Sequence, residues 1–315
     1  MKLAMVFPGQ GSQSVGMLQA YAGMPGVEEV RAETRAALGA DFLALLDQGP
    51  AEALNLTRNT QPAMLAAGVA AYRAWRAAGG PAPELVAGHS LGEYSALVAA
   101  GALALRDALP LVRYRAQAMQ QAVPEGEGAM AAILGLADEE VRAACAEAQR
   151  ADAAGEVVEA VNFNAPGQVA IAGSKAAVAR AIQACKARGA KRALPLPVSA
   201  PFHSSLMRPA AAKLGGYLER VALAAPTIAL LNNVDVADER EPARIKDALV
   251  RQAAAPVRWA DTVRRMAQLG VTHVAECGPG KVLAALARRI DGKLQALALA
   301  DRAALEQALA SLRGA

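Results

Sequence analysis

Short runs of apolar residues alternate along the chain with longer segments in which apolar positions recur at helical spacing. Glycine, proline or polar residues bound each short run, a pattern typical of buried β-strands. The strand-like runs are LAMVF (3–7), ELVAG (84–88), TIALLNN (227–233), THVAEC (272–277) and LQALALA (294–300). Strands separated by helices predict an α/β fold, with a parallel sheet and helices on both of its faces.

One segment, 129–198, departs from this alternation. After the loop PEGEG the pattern indicates a strand, a helix opening at Asp138, two strands joined by the turn NAPG, a helix opening at Ser174 and a final strand. The order β-α-β-β-α-β is that of a ferredoxin-like unit. We therefore predict a small ferredoxin-like domain at 129–198, inserted into a larger, discontinuous domain formed by 1–128 and 199–315.

A serine lies between two glycines where the second predicted strand gives way to a helix-like segment. The run Gly88-His89-Ser90-Leu91-Gly92 fits G-x-S-x-G, in which a tight turn holds the serine hydroxyl at the N-terminus of a helix. The N–H groups and dipole of that terminus favour developing negative charge. An ordinary helix-capping serine is the alternative interpretation. The apolar strand before Ser90 and the amphipathic helix after it favour a nucleophile.

A nucleophilic serine requires a base, and the chain contains three histidines. His89 is adjacent to Ser90, and its side chain should leave the turn in another direction. His273 lies within a predicted strand and is expected in the core or behind the site. His203, in the irregular segment SAPFHSSLM, is left by elimination and position as the base.

The third member of a serine–histidine triad is ordinarily an acid in a loop after a strand. Asp235, Asp238 and Glu276 are available, but no feature of the sequence singles out one of them. The sequence therefore predicts a serine and a histidine without an assigned acid.

The loop FPGQGSQSVG follows the first predicted strand. Its glycines do not satisfy GxGxxG, and no GK[ST] follows, so neither a dinucleotide site nor a P-loop is predicted. A glycine-rich turn beside the serine instead predicts an oxyanion hole formed by the backbone N–H groups of Gln10 and Leu91.

Arg115 occupies an apolar helical stripe together with Leu111, Met119 and Val123. A buried guanidinium without a partner would cost several kcal/mol. Two interpretations stay open at this point, an internal ion pair and a bidentate anchor for an anionic acyl group.

Composition narrows the partners and the compartment. Thirty-three basic and 29 acidic residues give a net charge of +4 without a run of Lys or Arg, which argues against a nucleic-acid partner and permits a mild preference for an acidic one. The three cysteines lack CxxC spacing, which argues against a disulfide framework or a zinc site and favours a reducing cytoplasm.

Neither an export signal nor a membrane span is expected. Pro8 and Gly9 break the N-terminal apolar run, and Glu93 and Arg106 interrupt the longest apolar stretch. Because no long exposed apolar stripe is left unassigned, we expect a monomer.

Taken together, several motifs resemble the malonyl-CoA:acyl carrier protein transacylase family. They are FPGQGSQSVGM, TQPAM, GHSLGEYSAL, VPEGEGAMAAILGL, VNFNAPGQVAIAG, PFHSSLM and ECGPGKVL, in the family's order. The resemblance runs nearly end to end. It implies a hydrolase-like α/β domain with a ferredoxin-like insertion, in agreement with the division above.

The resemblance also implies roles for the reacting residues. Ser90 would carry the acyl group, His203 would be its base and Arg115 would bind the free carboxylate of malonate. The backbone carbonyl of Gln252 would orient the histidine, which would account for the missing acid, and the oxyanion hole would be the one described above.

Four further residues are expected at the substrate. Gln61 and Asn162 match family pocket positions, and Met119 lies on the same helical stripe as the arginine. Phe202 matches an aromatic residue that accompanies malonyl rather than branched acyl groups. No cofactor and no metal are expected, because malonyl-CoA and phosphopantetheinylated acyl carrier protein, an acidic partner, are substrates.

Two rival functions are compatible with parts of this pattern. A serine hydrolase or thioesterase would share the serine and histidine, but not the anionic anchor, the missing acid or the inserted domain. A docking module without activity is disfavoured because all the reacting residues are present. Whether the carrier protein serves fatty-acid or polyketide synthesis is left open.

Overall fold

Two β-sheets organise the protein, one parallel with five strands and one antiparallel with four, in the computed structural model, which describes residues 1–150, 155–198 and 200–313. The strands are, in chain order, β1 Leu3–Phe7, β2 Leu85–Gly88, β3 Gly128–Leu134, β4 Val158–Ala165, β5 Gln168–Ser174, β6 Arg192–Pro195, β7 Ala229–Leu231, β8 His273–Cys277 and β9 Gln295–Leu299. Both sheets are accompanied by helices, so the predicted α/β class is confirmed.

Helices connect these strands and cover their faces. They are α1 Val27–Leu38, α2 Ala40–Gln48, α3 Ala51–Leu54, α4 Thr57–Ala77, α5 Gly92–Ala99, α6 Leu105–Gln120, α7 Asp138–Arg150, α8 Lys175–Ala187, α9 Arg208–Leu218, α10 Pro242–Ala253, α11 Trp259–Gln268, α12 Val282–Ile290 and α13 Arg302–Arg313. Short 3-10 turns lie at Gln19–Tyr21 and Ser205–Met207.

The parallel sheet has the strand order β7-β2-β1-β8-β9. All residues of β1 and β2 are buried because helices cover both faces of the sheet. Along β1, Met5 joins the apolar cluster of α4, α5 and α6, whereas Val6 joins that of α11 and α12. Phe7 pairs with Gly88 at the carboxyl ends of β1 and β2. The loops that follow these two strands therefore begin side by side, at the edge where α/β sheets bind ligands.

The antiparallel sheet has the strand order β4-β5-β3-β6 and is covered by α7 and α8. Its elements follow one another as β3-α7-β4-β5-α8-β6, which confirms the predicted ferredoxin-like arrangement. The first helix begins at Asp138, as predicted, and the second begins at Lys175 with Ser174 as its N-cap. The predicted division into 1–128, 129–198 and 199–315 includes residues 151–154, 199, 314 and 315, which lie outside the described residues.

A further apolar cluster joins the two sheets. It contains Met119 of α6, Met130 of β3, and Phe202 and Met207 from the segment that follows β6. This contact closes one side of the space above the carboxyl ends of β1 and β2. No helix in the described part of the chain is both long and apolar enough to span a lipid bilayer.

Candidate active site

Ser90 occupies the turn between β2 and α5. Its φ is +53°, in the left-handed region that residues other than glycine rarely adopt. A Cβ on Gly88 would lie 1.8 Å from the carbonyl carbon of Gly92, and a Cβ on Gly92 would lie 2.0 Å from the carbonyl oxygen of Phe7. Helix α5 can pass this close to β1 and β2 only because both positions are glycine. The close packing fixes the turn that carries the serine.

His203 lies between the serine hydroxyl and a backbone carbonyl. Its Nε2 is 2.7 Å from Oγ of Ser90, and its Nδ1 is 2.9 Å from the carbonyl oxygen of Gln252. A carbonyl oxygen can only accept, so Nδ1 carries the proton and Nε2 is free to accept the serine hydroxyl proton. Gln252 lies in the last turn of α10, where carbonyl groups have no partner within the helix.

The electrostatic surroundings keep the histidine neutral. Burial lowers the pKa of His203 to about 3, and the nearby charge of Arg115 acts in the same direction. Its side chain is 4% exposed. A neutral imidazole at physiological pH can accept a proton from the serine, as a general base must.

Arg115 projects from α6 into the same space and is 1% exposed. Its Nη1 donates to Oε1 of Gln61 at 2.7 Å, and its Nη2 donates to Oε1 of Gln252 at 2.9 Å and to Oγ of Ser90 at 3.2 Å. Its Nε has no hydrogen-bond partner among the described residues. Within the described residues no salt bridge joins Arg115 to a carboxylate, so the guanidinium is solvated by neutral side chains and can accept an anionic ligand.

Two residues of neighbouring loops bring backbone N–H groups to the cavity that contains Ser90. Gln10 follows β1, Leu91 begins the turn into α5, and both residues line the cavity that contains Ser90. Neither N–H donates a hydrogen bond to another described residue. Paired donors of this kind can stabilise an oxyanion formed at a carbonyl attacked by the serine.

A cavity of about 140 Å³ lies between the two sheets above Ser90. Its wall contains Gln61, Met119, Asn162 and Phe202, the four residues expected at the substrate. The Oδ1 atom of Asn162 is buried, and no residue in the described part of the chain forms a hydrogen bond with it. The wall is completed by residues of the small sheet and its neighbouring segment: Met130, Leu196 and Val198.

The other histidines stand apart from the serine hydroxyl. His89 turns away from it, with Nε2 at 2.8 Å from Oδ1 of Asn164 and its ring against Trp259. His273 begins β8 and contacts Thr272 at the opposite end of the strand from the cavity.

The three candidate acids form hydrogen bonds or ion pairs with residues other than His203. Asp235 forms a surface ion pair with Arg251, and Asp238 accepts from the N–H of Leu230. Glu276 accepts from the N–H of Ala284 and thereby caps α12. No one of these acids contacts His203.

Two residues of the site escaped the sequence analysis, Glu93 and Asn233. Oε2 of Glu93 accepts from Nε2 of Gln252 at 2.8 Å and from the N–H of Asn233 at 2.9 Å. The side chain of Asn233 accepts from the N–H of Ser90 at 2.7 Å and donates to the carbonyl of Gly88 at 2.6 Å. The sequence did contain a signal for Glu93, namely an acidic residue within an otherwise apolar helical segment. Such a residue needs a polar partner when it is buried, and the same argument was applied to Arg115.

A search of the described residues finds no group of three or more His, Cys, Asp or Glu side chains that could hold a metal ion. The expectation that no metal is needed stays a prediction.

Comparison with known proteins gives consistent matches. The family model of the acyl transferase domain matches residues 4–298. The malonyl CoA-acyl carrier protein transacylase of Escherichia coli is 57% identical over 309 residues, which cover 98% of this chain and 99% of that protein. The crystal structure of an acyl-carrier-protein S-malonyltransferase from Burkholderia pseudomallei is similar with a TM-score of 0.95 at 63% identity, over 98% of this chain and 100% of that one.

A second solved structure holds a type II PKS acyl-carrier protein in complex with its malonyl-transacylase. The transacylase chain is similar to this one with a TM-score of 0.95 at 52% identity, over 99% of this chain and 100% of that one. These matches extend over both sheets and over every element that borders the cavity.

Proposed function

We infer that this chain, which belongs to the acyl transferase domain family and transfers malonyl groups from malonyl-CoA to acyl carrier protein, carries each group as an ester on Ser90. The 2.7 Å contact between Oγ of Ser90 and Nε2 of His203 supports this assignment. A serine hydroxyl beside a neutral imidazole is an activated nucleophile.

In the first half-reaction, Nε2 of His203 takes the hydroxyl proton as Oγ of Ser90 attacks the thioester carbonyl of malonyl-CoA. The N–H groups of Gln10 and Leu91 hold the oxyanion of the tetrahedral intermediate. Its collapse breaks the carbon–sulfur bond and leaves malonyl-serine. The CoA sulfur recovers the proton from the imidazolium and departs as a thiol.

The second half-reaction runs by the same route. His203 takes the proton of the phosphopantetheine thiol, and the thiolate attacks the ester carbonyl of malonyl-Ser90. The same two N–H groups hold the oxyanion. The serine oxygen leaves, recovers the proton from His203 and frees the enzyme for the next cycle. The carbonyl of Gln252 keeps the histidine in the required tautomer in both halves.

Arg115 selects an acyl group that has a free carboxylate. Its guanidinium is buried, has no carboxylate partner in the described part of the chain, and lies 3.2 Å from Oγ of Ser90. An acyl group on that oxygen would bring a malonyl carboxylate to the guanidinium. An acetyl group would leave the charge without an anionic partner, so discrimination follows from the buried polar group.

The cavity wall supports substrate roles for four side chains. Gln61 holds the guanidinium through the 2.7 Å hydrogen bond from Nη1. Met119 and Phe202 restrict the space beside the serine and thereby exclude an α-methyl substituent. Asn162, whose buried Oδ1 lacks a hydrogen-bond partner within the described ranges, provides a polar contact for the substrate.

We also propose that 129–198 is a separate small domain inserted into a larger domain formed by 1–128 and 199–315. The separate apolar cores of the two sheets support this division. A monomer is supported by the scattered positions of the large exposed apolar residues in the described segments: Met1, Val15, Leu56, Leu194 and Val282.

We further propose a cytoplasmic location, an acidic carrier protein as partner and a reaction without a cofactor. A cytoplasmic location is supported by the three buried, unpaired cysteines, Cys145, Cys185 and Cys277. An acidic carrier protein suits the net charge of +4. No cofactor enters the two half-reactions, because every proton and leaving group is accounted for by the residues and substrates named.

Steady-state kinetics tests the double displacement. Initial rates are measured with malonyl-CoA varied at several fixed concentrations of holo acyl carrier protein. The double-reciprocal plots should be parallel lines. Intersecting lines would contradict a malonyl-enzyme intermediate. Release of malonate at the full rate without carrier protein would favour a thioesterase instead.

A further inference from the structure

A buried carboxylate, Glu93, lies one helical turn beyond the nucleophile and takes no part in the half-reactions above. It is 1% exposed. Its Oε2 accepts two hydrogen bonds, one from the side-chain amide of Gln252 at 2.8 Å and one from the backbone N–H of Asn233 at 2.9 Å. Each of these two partners in turn holds a residue of the reacting group.

The first partner fixes the base and the arginine. The guanidinium of Arg115 can only donate, so Oε1 of Gln252 faces it and Nε2 of the same amide faces Glu93. With its side chain held from both ends, Gln252 presents its backbone carbonyl to Nδ1 of His203. The same amide also donates to the backbone carbonyl of Ser90 at 3.0 Å.

The second partner fixes the turn that carries the nucleophile. Asn233 is held by its backbone N–H on Glu93, and its side chain bridges the N–H of Ser90 and the carbonyl of Gly88. The left-handed conformation of Ser90 is unfavourable by itself, so the surrounding contacts must maintain it.

We propose that Glu93 is a positioning residue for the acyl transfer described above, acting through Gln252 and Asn233 on the nucleophile, its base and the arginine. This inference rests on the proposed role of Ser90. Glu93 does not touch the reacting atoms. Its negative charge also balances the buried guanidinium through the intervening amide of Gln252.

The charge state of Glu93 gives the proposal a signature that packing alone would not produce. Burial raises the pKa of Glu93 to about 7, against the opposing effects of its hydrogen bonds and of Arg115. Asp235 raises the same pKa, and the Tyr94 hydroxyl, whose own pKa burial raises to about 12, stays neutral. His203, with a pKa of about 3, does not titrate in this range. A carboxylate forms stronger hydrogen bonds than a carboxylic acid acceptor, so Glu93 should hold Gln252 best above pH 7.

The test compares Glu93→Gln with the wild-type chain in single-turnover formation of malonyl-Ser90 from malonyl-CoA. Working with the first half-reaction alone keeps titration of the carrier thiol out of the measurement. We expect the wild-type rate to rise about tenfold as the pH increases through 7, because the hydrogen bonds of Glu93 become charge-assisted. The amide of Glu93→Gln keeps an acceptor but cannot ionise, so its rate should stay at the low-pH value of the wild type throughout.

Glu276→Gln is the matched control, because Glu276 is a second buried carboxylate that accepts from a backbone N–H away from the cavity. Its acylation rate should follow the wild-type pH profile. Thermal unfolding checks the fold of both variants. Because the pKa of Glu93 is raised on folding, its contribution to stability is present below the unfolded value and is lost as the pH rises through 7. At pH 8 the Tm of Glu93→Gln should therefore equal or exceed that of the wild type.

Two results would overturn the proposal: a Glu93→Gln rate equal to the wild-type rate at pH 8, or a rise through pH 7 that persists in the variant. Failure of the proposed function looks different, because the wild-type chain itself would then form no ester on Ser90. A wild type that forms the ester, together with a Glu93→Gln variant that behaves like Glu276→Gln, would contradict the positioning role alone.

Discussion

His203 donates from Nδ1 to the backbone carbonyl of Gln252 across 2.9 Å, in the position where a hydrolytic triad has a carboxylate. A carbonyl fixes the tautomer as a carboxylate does, but it brings no negative charge to stabilise an imidazolium ion. This difference fits the low pKa of His203, which burial depresses. The base is therefore oriented by the main chain and is weakly basic.

The first prediction concerns the absent acid. Asp235→Asn should leave malonyl transfer within about threefold of wild type, because surface changes away from a site have small effects. The carboxylate pairs with Arg251 at the surface and does not contact His203. Turnover by the purified variant is the measurement. A thousandfold loss would instead identify Asp235 as the acid of an ordinary triad.

The second prediction follows from the lowered pKa of His203. The folded state disfavours the protonated form, so this contribution to stability is present above the unfolded pKa of about 6.5 and is lost as the pH falls towards 3. The wild type should lose up to about 1.4 kcal/mol per pH unit more than His203→Gln over this range. Denaturant unfolding of both proteins at several pH values between about 6.5 and 3 gives the difference in their free energies of unfolding.

His273→Gln provides the control for that experiment, since His273 lies at a strand end away from the cavity. It should lose stability in parallel with the wild type. A free-energy difference between wild type and His203→Gln that does not change with pH would contradict the buried neutral imidazole.

The third prediction concerns acyl selectivity. Arg115→Ala should lower the rate of malonyl transfer about a hundredfold, since a hydrogen bond to a charged group contributes about 1.5–3 kcal/mol. Acetyl transfer should fall much less, because acetyl has no carboxylate to pair. Arg115→Lys keeps the charge without the bidentate fork and should be intermediate. Equal losses with both acyl groups would make Arg115 a structural residue.

The fourth prediction concerns the size of the acyl pocket. Phe202 is 8% exposed and lines the cavity beside Met119. Phe202→Ala should raise the rate with methylmalonyl-CoA relative to malonyl-CoA about tenfold, the range expected for one added carbon. Competition between the two thioesters for Ser90 measures this ratio. An unchanged ratio would assign the restriction to another wall of the cavity.

The architecture was predictable where local patterns determine it. The positions of β1, β2, β8 and β9 and of both helices of the small domain follow from periodicity within short windows. β7 is the instructive exception, since the run 227–233 contains a strand only at Ala229–Leu231. Asn232 and Asn233 leave the strand because their polar groups bind the N–H of Asp235 and the serine turn.

The site was predictable where a rare residue type narrowed the choice. With three histidines in the chain, elimination and position pointed to His203. One charge on an apolar stripe drew attention to Arg115, whose role as an acyl anchor came from the family resemblance. Glu93 was taken only as a charge interrupting an apolar run, because its partner Gln252 lies 159 residues away in sequence. A hydrogen bond over that separation depends on tertiary packing, which local pattern does not encode.

A malonyl ester at Ser90 that acyl carrier protein removes is the central intermediate of the proposed reaction. The chain and its Ser90→Ala variant should be incubated with malonyl-CoA. Their intact masses should be measured by mass spectrometry before and after addition of holo acyl carrier protein. We predict one malonyl adduct on the wild type, its transfer to the carrier, and no adduct on the variant. A stable adduct on Ser90→Ala, or a wild-type adduct lost to water as fast as to the carrier, would contradict the account.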